Sequence, residues 1–254
     1  MAGLVRLLRW VWVPCLWLLL WQGAALAVGE ELLLPAPAAV LREMAALPFS
    51  GVFWQSCCQS LGRILLGLLL GTMAGGLLAV ASACFAPARA FLAPAMAAIK
   101  ATPVASFVIL ALVWVRGEAL SVFISLLMVL PMVWQNVSQG IAGADRQLLE
   151  LAAVYRLPLW RRLRGIYLPA VAPHLLSALR VGVGFAWKAG IAGEVIAIAP
   201  RSIGYALYTA KTQLEMPALF AWTGYIILLS LGLEKGMMAL VGRMGRRRRG
   251  KEGA

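Results

Sequence analysis

Six apolar runs of at least twenty residues recur along the chain, at about 8–28, 60–84, 90–115, 119–140, 171–198 and 217–241. A bilayer core about 30 Å thick is crossed by roughly 20 helical residues. A backbone in hydrocarbon must also satisfy its own hydrogen bonds, so runs of this length predict transmembrane helices. With 62% hydrophobic and only 13% charged residues among 254, the chain has too little polar surface for a water-soluble domain. The expected fold is all-α, a polytopic membrane helical bundle forming one domain over 1–254. It has about six spans, a polar loop at 145–169 between spans 4 and 5, and a basic tail at 243–254.

The first run also has features of a secretory signal, with Arg6 and Arg9 ahead of it and Ala25-Leu-Ala27 as a cleavage site. Its length, and Trp10, Trp12, Trp17 and Trp21 as interfacial anchors, favour a retained span. Lys and Arg gather in cytoplasmic loops. With the N-terminus inside, 14 of the 23 basic residues fall on that side, namely Arg6, Arg9, Arg89, five between 146 and 164, and six from Arg243 to Lys251. The opposite side holds Arg42, Arg63, Arg116, Arg201 and Lys211 beside five glutamates. Both termini are expected to be cytoplasmic.

A net charge of +13 placed this way fits the positive-inside bias and attraction to anionic lipid headgroups, not nucleic acid. The four cysteines lack metal-ligand spacing and read as small packing residues, adjacent Cys57 and Cys58 being a poor disulfide pair. There is one histidine, His174, which a membrane interface accommodates without a role, and no Gly-x-x-x-x-Gly-Lys-Ser/Thr phosphate loop. Neither a catalytic site nor a cofactor is expected, and ATP hydrolysis would need a separate chain. A membrane-embedded enzyme would need a clustered nucleophile, acid/base pair or metal site, and the charges are too scattered for that.

Polar and small residues inside the runs carry more information. Gly67, Gly71 and Gly75 recur every four residues, which stacks them on one helix face and predicts close approach of another backbone. Pro94 and Pro103 are expected to break the third run around Lys100-Ala-Thr102, and broken helices at membrane depth face protein or a cavity. Lys100 either snorkels to the inner surface or lines a path for an anionic solute. In the fifth run Arg180, Lys188 and Glu194 would each cost roughly 2.5–3.5 kcal/mol in hydrocarbon. At 100° per residue Arg180, Gly184, Trp187 and Glu194 share a stripe, with Lys188 about 80° aside. That stripe should meet protein or water; pore lining and interhelix pairing both account for it.

The polar interruption at 145–169 is the strongest pointer to function. Asp145 is placed to cap a helix and Pro158 to stop it, framing about three turns. Trp160, Arg161, Arg162 and Arg164 would suit a helix resting on headgroups. The small pair Ala152-Ala153 beside Glu150 favours contact with protein, since a lipid-facing helix gains more from large side chains.

Here the chain resembles the inner-membrane permease subunits of bacterial ABC importers, of the nitrate, sulfonate and taurine type. Their loop carries Glu-Ala-Ala, three residues, Gly, nine residues, Ile-x-Leu-Pro. This sequence has Glu150-Leu151-Ala152, Arg156 at the glycine position, and Ile166-Tyr-Leu168-Pro169. Leu151 and Arg156 depart from the pattern, and Pro158 is an alternative source of the turn. The resemblance continues through Leu34-Pro-Ala-Pro37, Thr102-Pro-Val-Ala-Ser106, Leu130-Pro131, Trp187 to Glu194, Ser202-Ile-Gly204 and Phe220-Ala-Trp222, nearly the whole chain.

The resemblance implies a non-catalytic permease in the bacterial plasma membrane. Two copies would form a path for a small solute such as nitrate, sulfonate or taurine, fed by an extracytoplasmic solute-binding protein. Cytoplasmic ATP-binding-cassette subunits would drive it by receiving the loop. Glu150, Ala152, Ala153, Arg156, Ile166, Leu168 and Pro169 are the expected coupling residues. Lys100, Thr102, Ser106, Arg180, Trp187, Lys188 and Glu194 are the candidate translocation pathway. The competing class is a free-standing secondary carrier or channel using Lys100, Lys188 and Glu194; no inverted repeat is visible, and such a carrier has no need of the 145–169 loop.

Overall fold

A computed structural model describes the backbone of residues 2–252 and the side chains of residues 12–239. The side chains of Arg6, Arg9 and Trp10 and the basic side chains of the 243–254 tail lie outside the described residues. Every regular element described is helical. Helix α1, Ala2–Val28, is followed by a turn and by α2, Pro37–Ala46. Next come α3, Gly51–Cys84, and two short helices, α4 at Ala86–Ala101 and α5 at Val104–Ala111. Helix α6, Glu118–Ala142, leads into the loop helices α7, Arg146–Val154, and α8, Leu159–Arg162. A π turn, Leu163–Tyr167, connects to α9, Leu168–Ala197, then α10, Ile203–Thr212, and α11, Met216–Glu252.

Four stretches are long and apolar enough to cross a bilayer: Gly51–Cys84, Glu118–Ala142, Leu159–Ala197 and Met216–Ala239. A fifth is added if α4 and α5 form one broken span, and α1 has a shorter apolar part, Trp12–Val28. The third expected span is thus not a single rod, because the chain bends 106° between α4 and α5. Pro103 makes the break; Pro94 does not, since α4 runs straight through it. A proline removes one ladder bond, and at exposed Pro94 the remaining bonds of α4 carry the helix on.

The second span starts about nine residues earlier than its hydropathy suggests, because Ser50 caps α3 by accepting from the Phe53 N–H at 3.3 Å. Two helices escape the apolar pattern altogether. Helix α2 packs on α11, where the Tyr225 hydroxyl donates to the Met44 carbonyl at 2.7 Å. Helix α10 is started by Ser202, whose hydroxyl accepts from the Tyr205 N–H at 2.9 Å.

Helices α3, α6 and α9 form the core. Gly67, Gly71 and Gly75 of α3 face the α6 backbone as their spacing predicts: an added Cβ would lie 2.5, 2.7 and 2.6 Å from the carbonyl oxygens of Val122, Leu126 and Leu130. On its other side α6 meets α9, where Ser121 and Ser125 donate to the Gly190 and Ala186 carbonyls at 3.2 and 3.1 Å. Lipid tails are as apolar as leucine, so helices in a membrane associate through close backbone approach and such hydroxyl bonds, and small residues make both possible.

Candidate functional site

The loop is built to hold one short helix clear of the bundle. Asp145 caps α7, its Oδ1 accepting from Gln147 and Leu148 N–H at 2.8 and 3.4 Å. The helix stops after nine residues, two and a half turns, well before Pro158. What ends it is Arg156 itself, which adopts a left-handed φ of 49°. Its N–H bonds to the Ala153 carbonyl at 3.1 Å and the Leu157 N–H to the Ala152 carbonyl at 2.9 Å. This is the Schellman arrangement that glycine normally serves, and the glycine position of the motif is therefore the place where a left-handed residue is needed. An arginine there costs roughly 1–2 kcal/mol.

Arg162, a residue sequence reasoning gave only a headgroup role, helps to offset that strain. Its guanidinium reaches back to the Ala152 carbonyl at 3.2 Å and the Leu157 carbonyl at 3.0 Å, satisfying the end of α7 with a cation. The chain then enters α9 through the π turn, in which the Leu168 N–H bonds five residues back to Leu163. Ala152, 1% exposed, is the sole buried residue of α7. Glu150 and Ala153 are exposed, Glu150 lying 3.7 Å from Arg146. Val154 is 79% exposed, and Leu151, Tyr155, Leu159 and Trp160 of the same loop are exposed too. Ile166 is half-buried in the π turn, while Leu168 and Pro169 open α9 and are exposed.

The pathway candidates separate into two groups. Trp187 and Glu194 are wholly buried, Trp187 donating to the Ile226 carbonyl at 3.1 Å. Arg180 and Lys188 are exposed on α9, and Ser106 is exposed on α5. Lys100 donates to Gln135 Oε1 at 2.6 Å, and Thr102, at the bend, donates to the Ala98 carbonyl at 2.8 Å. His174 lies inside α9, half-buried against Gly140, where an added Cβ would come within 3.2 Å of its ring.

Glu194 belongs to a buried polar clasp that the sequence does not announce. Ser60 donates to its Oε2 at 2.6 Å and the Gly204 N–H approaches the same oxygen at 3.3 Å. Arg63, placed on the outer side from its charge, is drawn inward with its side chain 10% exposed; it contacts Glu194 at 3.6 Å and Glu118 at 2.7 Å. It also donates to Gln59 Oε1 at 2.9 Å and the Pro200 carbonyl at 3.3 Å. A Cβ on Gly204 would collide with the Glu194 side chain, so the separate motifs ending at Glu194 and Gly204 are two halves of one contact. The signal available in advance was that a carboxylate within an apolar run needs a cation on another helix.

Apolar helices packed through glycine and serine, with one exposed polar helix on a loop between two of them, make a polytopic membrane helical bundle. The fold is similar to that of a solved structure described as an amino acid ABC transporter with histidines, at a TM-score of 0.65 and 15% identity, over 80% of this chain and 97% of that one. Among relatives, the taurine transport system permease protein TauC of Escherichia coli is 25% identical over 88% of this chain and 83% of its own length. The putative aliphatic sulfonates transport permease protein SsuC of Bacillus subtilis is 26% identical over 87% of this chain and 79% of its own. The chain belongs to the family of binding-protein-dependent transport system inner membrane components, whose model matches residues 67–246. It is a multi-pass plasma-membrane permease subunit of an ABC importer, and the family implies ATPase and solute-binding protein partners.

Proposed function

We propose that two copies of this permease form the translocation path for a small anionic solute of the sulfonate class, and that ATP-binding subunits drive it through α7. The single observation that carries the coupling role is a capped, strained helix standing clear of the bundle with only Ala152 buried. Glu150, Ala153 and Arg156 form the contact, and Ile166, Leu168 and Pro169 join it to α9. Both termini and the loop lie on the cytoplasmic side, following the Lys and Arg distribution.

Arg180 and Lys188, exposed on a single copy, support a paired assembly in which α9 faces a second chain or a watery path. Exposed cations together with relatives named for taurine and aliphatic sulfonates support an anionic solute. Glu194 accepts from Ser60 and lies 3.6 Å from Arg63, and Lys100 donates to Gln135, contacts within the chain that favour the ATP-driven reading over a free-standing carrier.

The test is ATP-dependent uptake of taurine and short aliphatic sulfonates by vesicles holding the permease, its ATP-binding subunit and its solute-binding protein. Glu150→Lys and Ala153→Trp should each abolish uptake while leaving insertion intact. Unchanged uptake in both would remove the coupling role, and uptake of uncharged solutes alone would remove the anion assignment.

A further inference from the structure

Resting on the coupling role proposed for α7, we infer that Arg156 reads a carboxylate on the rim of the ATP-binding subunit's cleft and so selects the subunit this permease accepts. The loop from 145 to 169 carries five arginines against Asp145 and Glu150. Asp145 is spent on the N-cap, Glu150 sits beside Arg146, and Arg162 closes the end of α7. Arg156, Arg161 and Arg164 remain exposed, and their guanidinium groups make no hydrogen bond or ion pair among the described residues.

Of these three, Arg156 is the one held against its own backbone preference. The left-handed turn needs no side chain, and glycine would make it at lower cost. The guanidinium that stands there instead does nothing inside the chain that would compensate. Val154 and Tyr155, the two residues before it in the chain, are exposed as well, so a partner that covers these apolar side chains also meets residue 156.

A protein cleft fits this surface better than a lipid headgroup layer. Glu150 and the small Ala153 are exposed on α7, and a headgroup layer would repel the carboxylate and gain little from the alanine, since a lipid-facing helix is stabilised by large apolar side chains. Charge complementarity to Arg156 then calls for an acidic rim. Arginine meets a carboxylate through two parallel N–H···O bonds, which adds orientation as well as attraction.

The experiment measures affinity between the full-length permease, in nanodiscs of neutral lipid, and the ATP-binding subunit encoded with it. Arg156→Lys, which keeps the charge and loses the fork, should bind more weakly than wild type and better than Arg156→Gly. Arg156→Gly should bind about ten-fold more weakly although its thermal stability is equal or higher, and Arg156→Glu should bind weaker still. A purely structural residue would not move affinity and stability in opposite directions. The differences should shrink in high salt, and replacing the matching acid of the ATP-binding subunit with Arg should rescue Arg156→Glu. Equal binding by Gly, Glu and wild-type permeases overturns the inference, as does a loss that appears only with anionic lipid. No binding by wild type would instead defeat the coupling role on which the inference rests.

Discussion

The two polar regions of this permease sit at opposite ends of α6, which is about 37 Å long by its helical rise, and they treat charge in opposite ways. At one end Glu194, Arg63, Glu118 and Ser60 turn toward each other and toward backbone groups of α10, and their contacts lie within the chain, although Glu194 Oε1 and Arg63 Nη1 make no hydrogen bond among the described residues. At the other end α7 keeps its caps satisfied while Arg156, Glu150 and several apolar side chains stay exposed. A polar group among apolar helices is structural when its partners come from the same chain. When the fold leaves it exposed at some conformational cost, it is there for something outside.

Breaking the clasp should give the largest loss of stability. Arg63→Ala leaves Glu194 as a buried carboxylate without its cation, and removing one partner of such a pair costs about 3–5 kcal/mol. Thermal unfolding in detergent should fall sharply; an unchanged midpoint would mean the pair is not consumed internally and would dissolve the contrast with the loop. Gly71→Val tests the packing between the two ends. Its side chain would press on Leu126 and Val129 of α6, and overpacking of this kind costs about 1–3 kcal/mol with uptake and stability falling together.

Arg162→Ala sharpens the comparison from the other side. It removes two charge-assisted bonds from the end of α7, so amide exchange at Ala153 to Leu157 should rise by one to two orders of magnitude while the midpoint of the bundle shifts little. Glu150→Lys should change stability least, within about 0.5 kcal/mol as expected for a surface site. It should still abolish ATP-dependent uptake, and a variant that loses stability in proportion to uptake would place α7 in the structural class instead.

Much of the bundle was legible because membrane insertion writes itself into composition. The glycines of α3 and the Asp145 cap each follow from one local rule and lie where that rule puts them, and of the six apolar runs four are helices long enough to cross a bilayer, with a fifth if the broken pair is one span. The misses are non-local or conformational. Pro103 marks a break without giving the 106° bend, which is set by how α5 packs on α9. Arg63 carries no mark of its inward turn until Glu194, 131 positions away, is placed in space. Arg156 hides the turn because the residue type argues against a left-handed conformation, and only the hydrogen bonds of the neighbouring carbonyls force it. Helices α2 and α10 are too short and mixed in character for hydropathy to pick out.

The three glycines of α3 also restrict how the molecule can move. They lock onto the carbonyls of Val122, Leu126 and Leu130, three contacts spaced by four residues on both helices. A slide of α3 along α6 by an ångström or two would drive the side chains between the glycines into that same backbone. The next position at which the glycines again find carbonyls lies four residues on, about 6 Å away. Between these two settings the helices behave like a ratchet with one tooth engaged. Under the coupling role proposed for α7, a push on the loop between α6 and α9 would reach the clasp at the far end as displacement of a whole block and not be absorbed by gradual slippage inside it.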